Sequence, residues 1–104
     1  MDETLLAQYA NDLEKRGTKS WHRSLLGRQT SIFLRWLASQ GISPAQADGD
    51  VLTAYLKHRK TQGNKHQTLI QALSVIRHFF RYLVERKIVH RNPTEGISIR
   101  WLDI

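Results

Sequence analysis

The residues best suited to acid–base or metal chemistry here are five histidines, His22, His58, His66, His78 and His90, and their spacing supports neither. No two form the i, i+4 pair with a neighbouring acid that a helical zinc site uses. The carboxylates concentrate near helix starts, where capping or the helix dipole accounts for them. With no cysteine, thiolate metal sites, disulfides and cysteine nucleophiles are excluded. No glycine loop is placed to cradle a phosphate, because Gly27 falls inside a helix and the other glycines mark stops or turns. Tyr9, Tyr55 and Tyr82 lie on or beside apolar faces and read as packing residues. The chain therefore shows no constellation of an independent enzyme, and no metal, cofactor or small-molecule substrate is expected.

Binding chemistry is better represented. The formal net charge is +7, and its distribution is uneven. The first fourteen residues hold Asp2, Glu3, Asp12 and Glu14 and no base. From Lys15 to Ala47 there are six Lys or Arg and no acid, and from Lys57 to Arg91 nine against the single Glu85. Two basic blocks of this kind form an electrostatic footprint for a polyanion. Within them, Lys65, His66, Gln67 and Thr68 open one helical pattern, where free backbone N–H groups and the positive dipole end favour a phosphate. Thr68 also suits a simple N-cap. One turn on, Gln71 has the donor and acceptor that pair bidentately with adenine in a major groove. A second long pattern opens similarly with Lys19, His22, Arg23 and Ser24, and Arg28 follows a turn later.

Four helices would position these residues. Thr4 to Arg16 carries Leu5, Leu6, Tyr9 and Leu13 at helical spacing and stops at Gly17. Ser20 offers an N-cap for a second helix, whose inward face is marked by Trp21, Leu25, Ile32, Phe33, Trp36 and Leu37 until Gly41. "ISPAQADGD" is turn chemistry, with Asp48 or Asp50 able to cap a short third helix. There Val51, Leu52, Tyr55 and Leu56 face inward, and Lys57, Arg59 and Lys60 close the helix near Gly63. In the fourth, steps of 100° put Leu69, Leu73, Ile76, Phe80 and Leu83 in one stripe with Ala72 and Phe79 beside it. Gln67, Gln71, Ser74, His78, Arg81 and Glu85 lie opposite, and Asn92-Pro93 ends the regular structure. Arg77 falls on a flank suited equally to packing, an ion pair or a phosphate. The expected class is all-α, a compact four-helix bundle over residues 1–97. Residues 98–104 are read as a tail whose Trp101 and Leu102 fold back or belong to an interface.

The stretch "QTLIQALSVIRHFFRYLVERKIVHRNPTEGI" resembles the last helix of the SAM-like, N-terminal core-binding domain of tyrosine recombinases, the phage integrases and Xer-type enzymes. Thr68, Leu73, Arg77, Phe79, Leu83 and Asn92-Pro93 match its pattern. "SIFLRWLASQG" and "LLAQYANDLEKRG" are similar to earlier helices of that domain, so the resemblance runs from about Leu5 to Ile97. His22 stands where the family often has threonine, and Leu26 where it usually has tyrosine. The resemblance implies one half of a C-shaped clamp on duplex DNA, with helices two and four against the major groove. The first helix would contact other recombinase protomers. The catalytic arginines, histidine and tyrosine would belong to a separate C-terminal domain, absent here, to which the tail leads.

On that reading the chain supports DNA integration or recombination and is not itself an enzyme. Lys65, Arg23 and Arg28 would neutralise phosphates, the fourth helix start with Thr68 would seat one, and Gln71 and Gln67 would reach base edges. The alternative is a helical protein-interaction module whose basic face meets an acidic partner. No signal peptide or membrane span is visible, so a cytoplasmic, nucleoid-associated protein of bacterial or phage origin is expected, with no membrane partner.

Overall fold

Four helices absorb the apolar periodicity: α1 (Asp2–Lys15), α2 (Ser20–Ser39), α3 (Gly49–Thr61) and α4 (His66–Glu85), with a 3-10 turn at Pro44–Gln46 between α2 and α3. The computed structural model describes residues 2–97, so the 98–104 tail with Trp101 and Leu102 lies outside the described residues. Among the described residues there is no strand, and no helix is long and apolar enough to cross a membrane.

The predicted stripe of α4 becomes the centre of the core. Leu69, Ala72, Leu73, Ile76, Phe79, Phe80 and Leu83 are all buried. Against them pack α2 and α3, while α1 packs on α2. Tyr9 reaches from α1 to Phe79 and Tyr82 at 5.1 and 5.0 Å between ring centres. Phe33 of α2 meets Tyr55 of α3 at 5.0 Å and Phe80 of α4 at 6.0 Å. Edge-on and tilted pairs of this kind add about 0.5–1.5 kcal/mol each to the area they bury. Tyr9, Tyr55 and Tyr82 are thus core residues.

All four helices end in one way. The backbone N–H groups of Thr18, Ile42, Asn64 and Ile88 return to the carbonyls of Leu13, Leu37, Arg59 and Leu83, five residues back. This closure needs a left-handed residue just before the returning N–H. Gly17, Gly41 and Gly63 supply it in the first three helices, but in the fourth Lys87 adopts φ 59°. Helix starts differ. Asp48 caps α3, its Oδ1 accepting from Val51 N–H at 2.9 Å, and Ser43 with Gln46 forms a capping box on the 3-10 turn.

Three expectations are corrected. The N-cap of α2 is Lys19 rather than Ser20, which is already helical. Trp21, assigned to the inward face, is 67 % exposed. His22 is the residue of that turn that faces α4, its ring 6.3 Å from His78, and the 100° step per residue turns Trp21 outward. Arg59, read as part of a basic helix end, is only 6 % exposed. It sits one turn beyond Tyr55 on the inward face of α3, where three neutral oxygens receive it.

Candidate nucleic-acid interface

The starts of α2 and α4 share a feature that α3 lacks. Each has a lysine at the N-cap, Lys19 and Lys65, in extended conformation with no side-chain cap bond, and neither has an acid in its first turn. A Ser, Asp or Asn at such a position normally satisfies one of the free N–H groups. These two helices leave their positive ends open and add a cation to each.

Around these ends the structure leaves Lys19, Ser24, Arg28, Lys65, Gln67 and Gln71 exposed and holds His22, Arg23, His66 and Thr68 half-buried. Thr68 is the third residue of α4 and not its N-cap. The ten candidate residues do not form a single patch. His22 stacks on Trp21, with ring centres 5.2 Å apart at 29°, and turns its edge to His78, so the α2 start lies beside the second half of α4. His78 is twelve residues beyond His66, about 18 Å along the axis at 1.5 Å per residue.

The α4 start is held elsewhere, by Arg59. Its guanidinium donates to Gln29 Oε1 at 3.1 Å, to the Tyr55 hydroxyl at 2.9 Å and to Asn64 Oδ1 at 3.3 Å. The Asn64 amide returns a bond to the Arg59 carbonyl at 2.8 Å. One residue therefore ties the middle of α2, the end of α3 and the turn before α4. Arg28 thus adjoins Gln29, which is tied through Arg59 to the turn before α4, whereas Lys19 and Arg23 flank His22, whose ring meets His78. Between the two basic ends, the α4 surface exposes Gln67, Gln71 and Ser74. Arg59 was missed as a positioning residue because its charge outweighed its phase. Its place after Leu52, Tyr55 and Leu56 at helical spacing was the available signal.

Beside the α2 start, burial lowers the pKa of His78, as do Arg81, His22 and Arg16, with Glu85 opposing. The Tyr9 hydroxyl lies 2.6 Å from His78 Nδ1, and burial, then Asp12 and Tyr82, push the Tyr9 pKa well above its usual value. The hydroxyl therefore keeps its proton beside the imidazole. Arg16 crosses to Glu85 at 2.7 Å and to Asp12 at 2.9 Å, which uses the one acid on this part of α4. Among the described residues no group of three His, Cys, Asp or Glu could hold a metal.

The model of the phage integrase N-terminal SAM-like domain family matches residues 6–87. A Caldanaerobacter subterraneus subsp. tengcongensis protein, provisionally named a tyrosine recombinase, is 30% identical over 100 residues, covering 94% of this chain and 34% of its own. The tyrosine recombinase XerD of Pseudomonas putida (strain KT2440) is 30% identical over 100 residues, 95% of this chain and 34% of that protein. The chain spans about a third of the length of these curated relatives.

Proposed function

The chain belongs to the phage integrase N-terminal SAM-like domain family, and from that premise we propose that it binds duplex DNA as half of a clamp within a site-specific tyrosine recombinase. The observation that carries this reading is the pair of uncapped, acid-free helix starts with Lys19 and Lys65 at their N-caps. Their separation of about 18 Å along α4 exceeds the major-groove width of about 12 Å, so the two ends suit phosphates on opposite walls. Lys65, the α4 N–H groups and Thr68 would take one wall together with Arg28. Lys19, Arg23 and Ser24 would take the other, with His22 and His66 bracing each turn. Gln67 and Gln71 project between them, where base edges would lie. Strand cleavage and rejoining are assigned to residues outside this domain, and closing the clamp to a second domain.

On this reading the domain by itself binds more weakly than a closed clamp, because avidity requires both halves. The test is a titration with the recombination-site duplex across ionic strength. Lys65→Ala should weaken all sequences alike and flatten the salt slope by about one, whereas Gln71→Ala should cost about 1–3 kcal/mol on the preferred site alone. Affinity that is absent at low salt, or indifferent to salt, refutes the reading.

A protein-contact reading has its own observation, away from the residues of the two helix starts. An apolar cleft of about 510 Å³ lies between α1 and the 3-10 turn, lined by Leu5, Pro44, Ala45 and Ile88; Ile88 is 40 % exposed. A second protomer meeting α1 there is compatible with DNA on α2 and α4. A partner of the basic face itself would instead be displaced by short duplex.

A further inference from the structure

We infer that the cleft between the second half of α4 and the turn that follows it is a phosphate-binding site, separate from the two helix starts. The cleft encloses about 320 Å³ and is lined by Arg77 and Arg81 from α4 and by His90, Arg91, Asn92 and Glu95 from the turn. Arg77 lies about 100° round the helix from His78, with Arg81 between them. The cleft therefore opens on the flank of α4 next to the side on which His78 meets α2, and not on that side itself.

Its walls are fixed relative to each other. Lys87, in left-handed conformation, reverses the chain after α4. Asn92 Nδ2 then donates to the Arg77 carbonyl at 3.1 Å, which fastens the turn back onto the helix. Asn92 Oδ1 accepts from the Thr94 N–H at 3.0 Å and the Thr94 hydroxyl at 2.6 Å, and Thr94 is 1 % exposed. This network holds Arg91 opposite Arg77 and Arg81 without using any guanidinium.

The charge balance gives the ligand class. Among the described residues none of the three arginines makes an ion pair. Among the described residues Glu95 is the only acid lining the cleft, so three guanidinium groups line it with one carboxylate that pairs with none of them. Nearby Glu85 is committed to Arg16. Like charges gathered in a concave site repel one another unless an anion enters, and the planar fork of arginine matches the oxygens of a phosphate. The bound group is a phosphate oxyanion. Naming a DNA backbone phosphate as its source rests on the duplex reading, whereas a free phosphate or nucleotide would need only the cleft.

The experiment is an NMR titration of the protein with inorganic phosphate and, separately, with the recombination-site duplex, joined to salt-dependent affinities of variants. Both ligands should shift the Asn92 and Thr94 amides and the arginine side-chain N–H signals. Arg77→Gln with Arg81→Gln should abolish those shifts and make the duplex salt slope shallower by about 1.8, from two contacts at about 0.9 each. Arg77→Lys with Arg81→Lys, which keeps charge but loses the fork, should fall between. The glutamine pair should unfold at no lower temperature than the parent without ligand, since it relieves repulsion; a clear fall would make the arginines structural and overturn the inference. If inorganic phosphate shifts nothing at the cleft and the glutamine pair leaves duplex affinity and slope unchanged while Lys65→Ala lowers both, the cleft is refuted and the duplex reading stands. If the parent binds no duplex yet phosphate shifts map to the cleft and vanish in the glutamine pair, the duplex reading fails and the phosphate site stands. Shifts from neither ligand overturn it.

Discussion

Arg59 is the most consequential buried group outside the apolar core, and Arg59→Met separates its two possible roles. Methionine keeps most of the apolar stem and removes only the guanidinium. Three hydrogen bonds from a charged donor, at the lower value of about 1.5 kcal/mol each, represent about 4.5 kcal/mol. Against that stands the cost of burying a cation whose three partners are neutral, itself several kcal/mol before relaxation. Orphaning the oxygens of Gln29 and Asn64 adds about 1–3 kcal/mol of lost solvation for the buried Gln29. The net expectation is a loss of about 2–4 kcal/mol. For a domain of this size that lowers the melting temperature by about 8–24 °C, at roughly 4–6 °C per kcal/mol. Urea and thermal unfolding followed by circular dichroism measure it. A double-mutant cycle with Gln29→Leu should give a coupling of at least about 1 kcal/mol. Hydrogen exchange at amides 64–69 should accelerate more than at 79–83, because the Arg59 contact to Asn64 fastens the α4 start. A change under about 0.5 kcal/mol with no local exchange effect would mean that apolar packing alone sets the α4 start.

Other substitutions probe the rest of the frame. Gly27 sits inside α2 with nothing within 4 Å of an added Cβ, so Gly27→Ala should raise stability by about 0.5–1 kcal/mol in urea unfolding. Lys87 holds φ 59° at the end of α4. Lys87→Gly should relieve a left-handed penalty of about 1–2 kcal/mol while adding unfolded-state freedom, for a net gain of about 0.5–1 kcal/mol. The pKa of His78 is lowered from its ordinary 6.5 in the folded state, so the unfolded chain binds the extra proton first as pH falls. Its contribution to stability is present above about pH 6.5 and lost as pH drops through the lowered value. Urea midpoints at pH 7.5 and 5.0 should show this loss in the parent and a smaller one in His78→Gln, whose amide oxygen can accept from Tyr9.

What was legible in the sequence followed from period and from local chemistry. The α4 stripe, the glycine stops of α1 to α3 and the aspartate before α3 each depend on a few neighbouring residues, and each stands where the pattern placed it. Ser20 was misplaced by a single residue at a helix boundary, whereas Trp21 and Arg59 were misread for one reason. Their surroundings are set by other helices, and a periodic pattern fixes the phase of a residue without fixing how far the neighbouring helix extends. At the α2 start it is His22 that meets α4, which turns Trp21 out. On α3, Gln29 arrives from α2, thirty residues away in sequence, and joins Tyr55 and the nearby Asn64 in receiving Arg59. The separation of the two basic helix starts was invisible for the same reason, since it depends on how α2 crosses α4.

The uncapped starts carry a thermodynamic implication that links fold to function. A Ser, Thr, Asp or Asn at an N-cap is worth about 0.5–2 kcal/mol relative to a residue that cannot cap, and a cation at the positive dipole end loses up to about 1 kcal/mol more. The chain caps α3 and the 3-10 turn with Asp48 and with Ser43 and Gln46, and leaves α2 and α4 with Lys19 and Lys65. In a domain whose total stability is of the order of 5–15 kcal/mol, two open starts are a substantial concession. A phosphate at each end would reverse both costs at once, satisfying the free N–H groups and neutralising the lysine. The same logic governs the arginine cleft, where repulsion in the free protein becomes attraction once an oxyanion enters. Under the duplex reading, the features that weaken the isolated domain are those that DNA would stabilise, so its melting temperature should depend on added duplex more steeply than contact area alone implies.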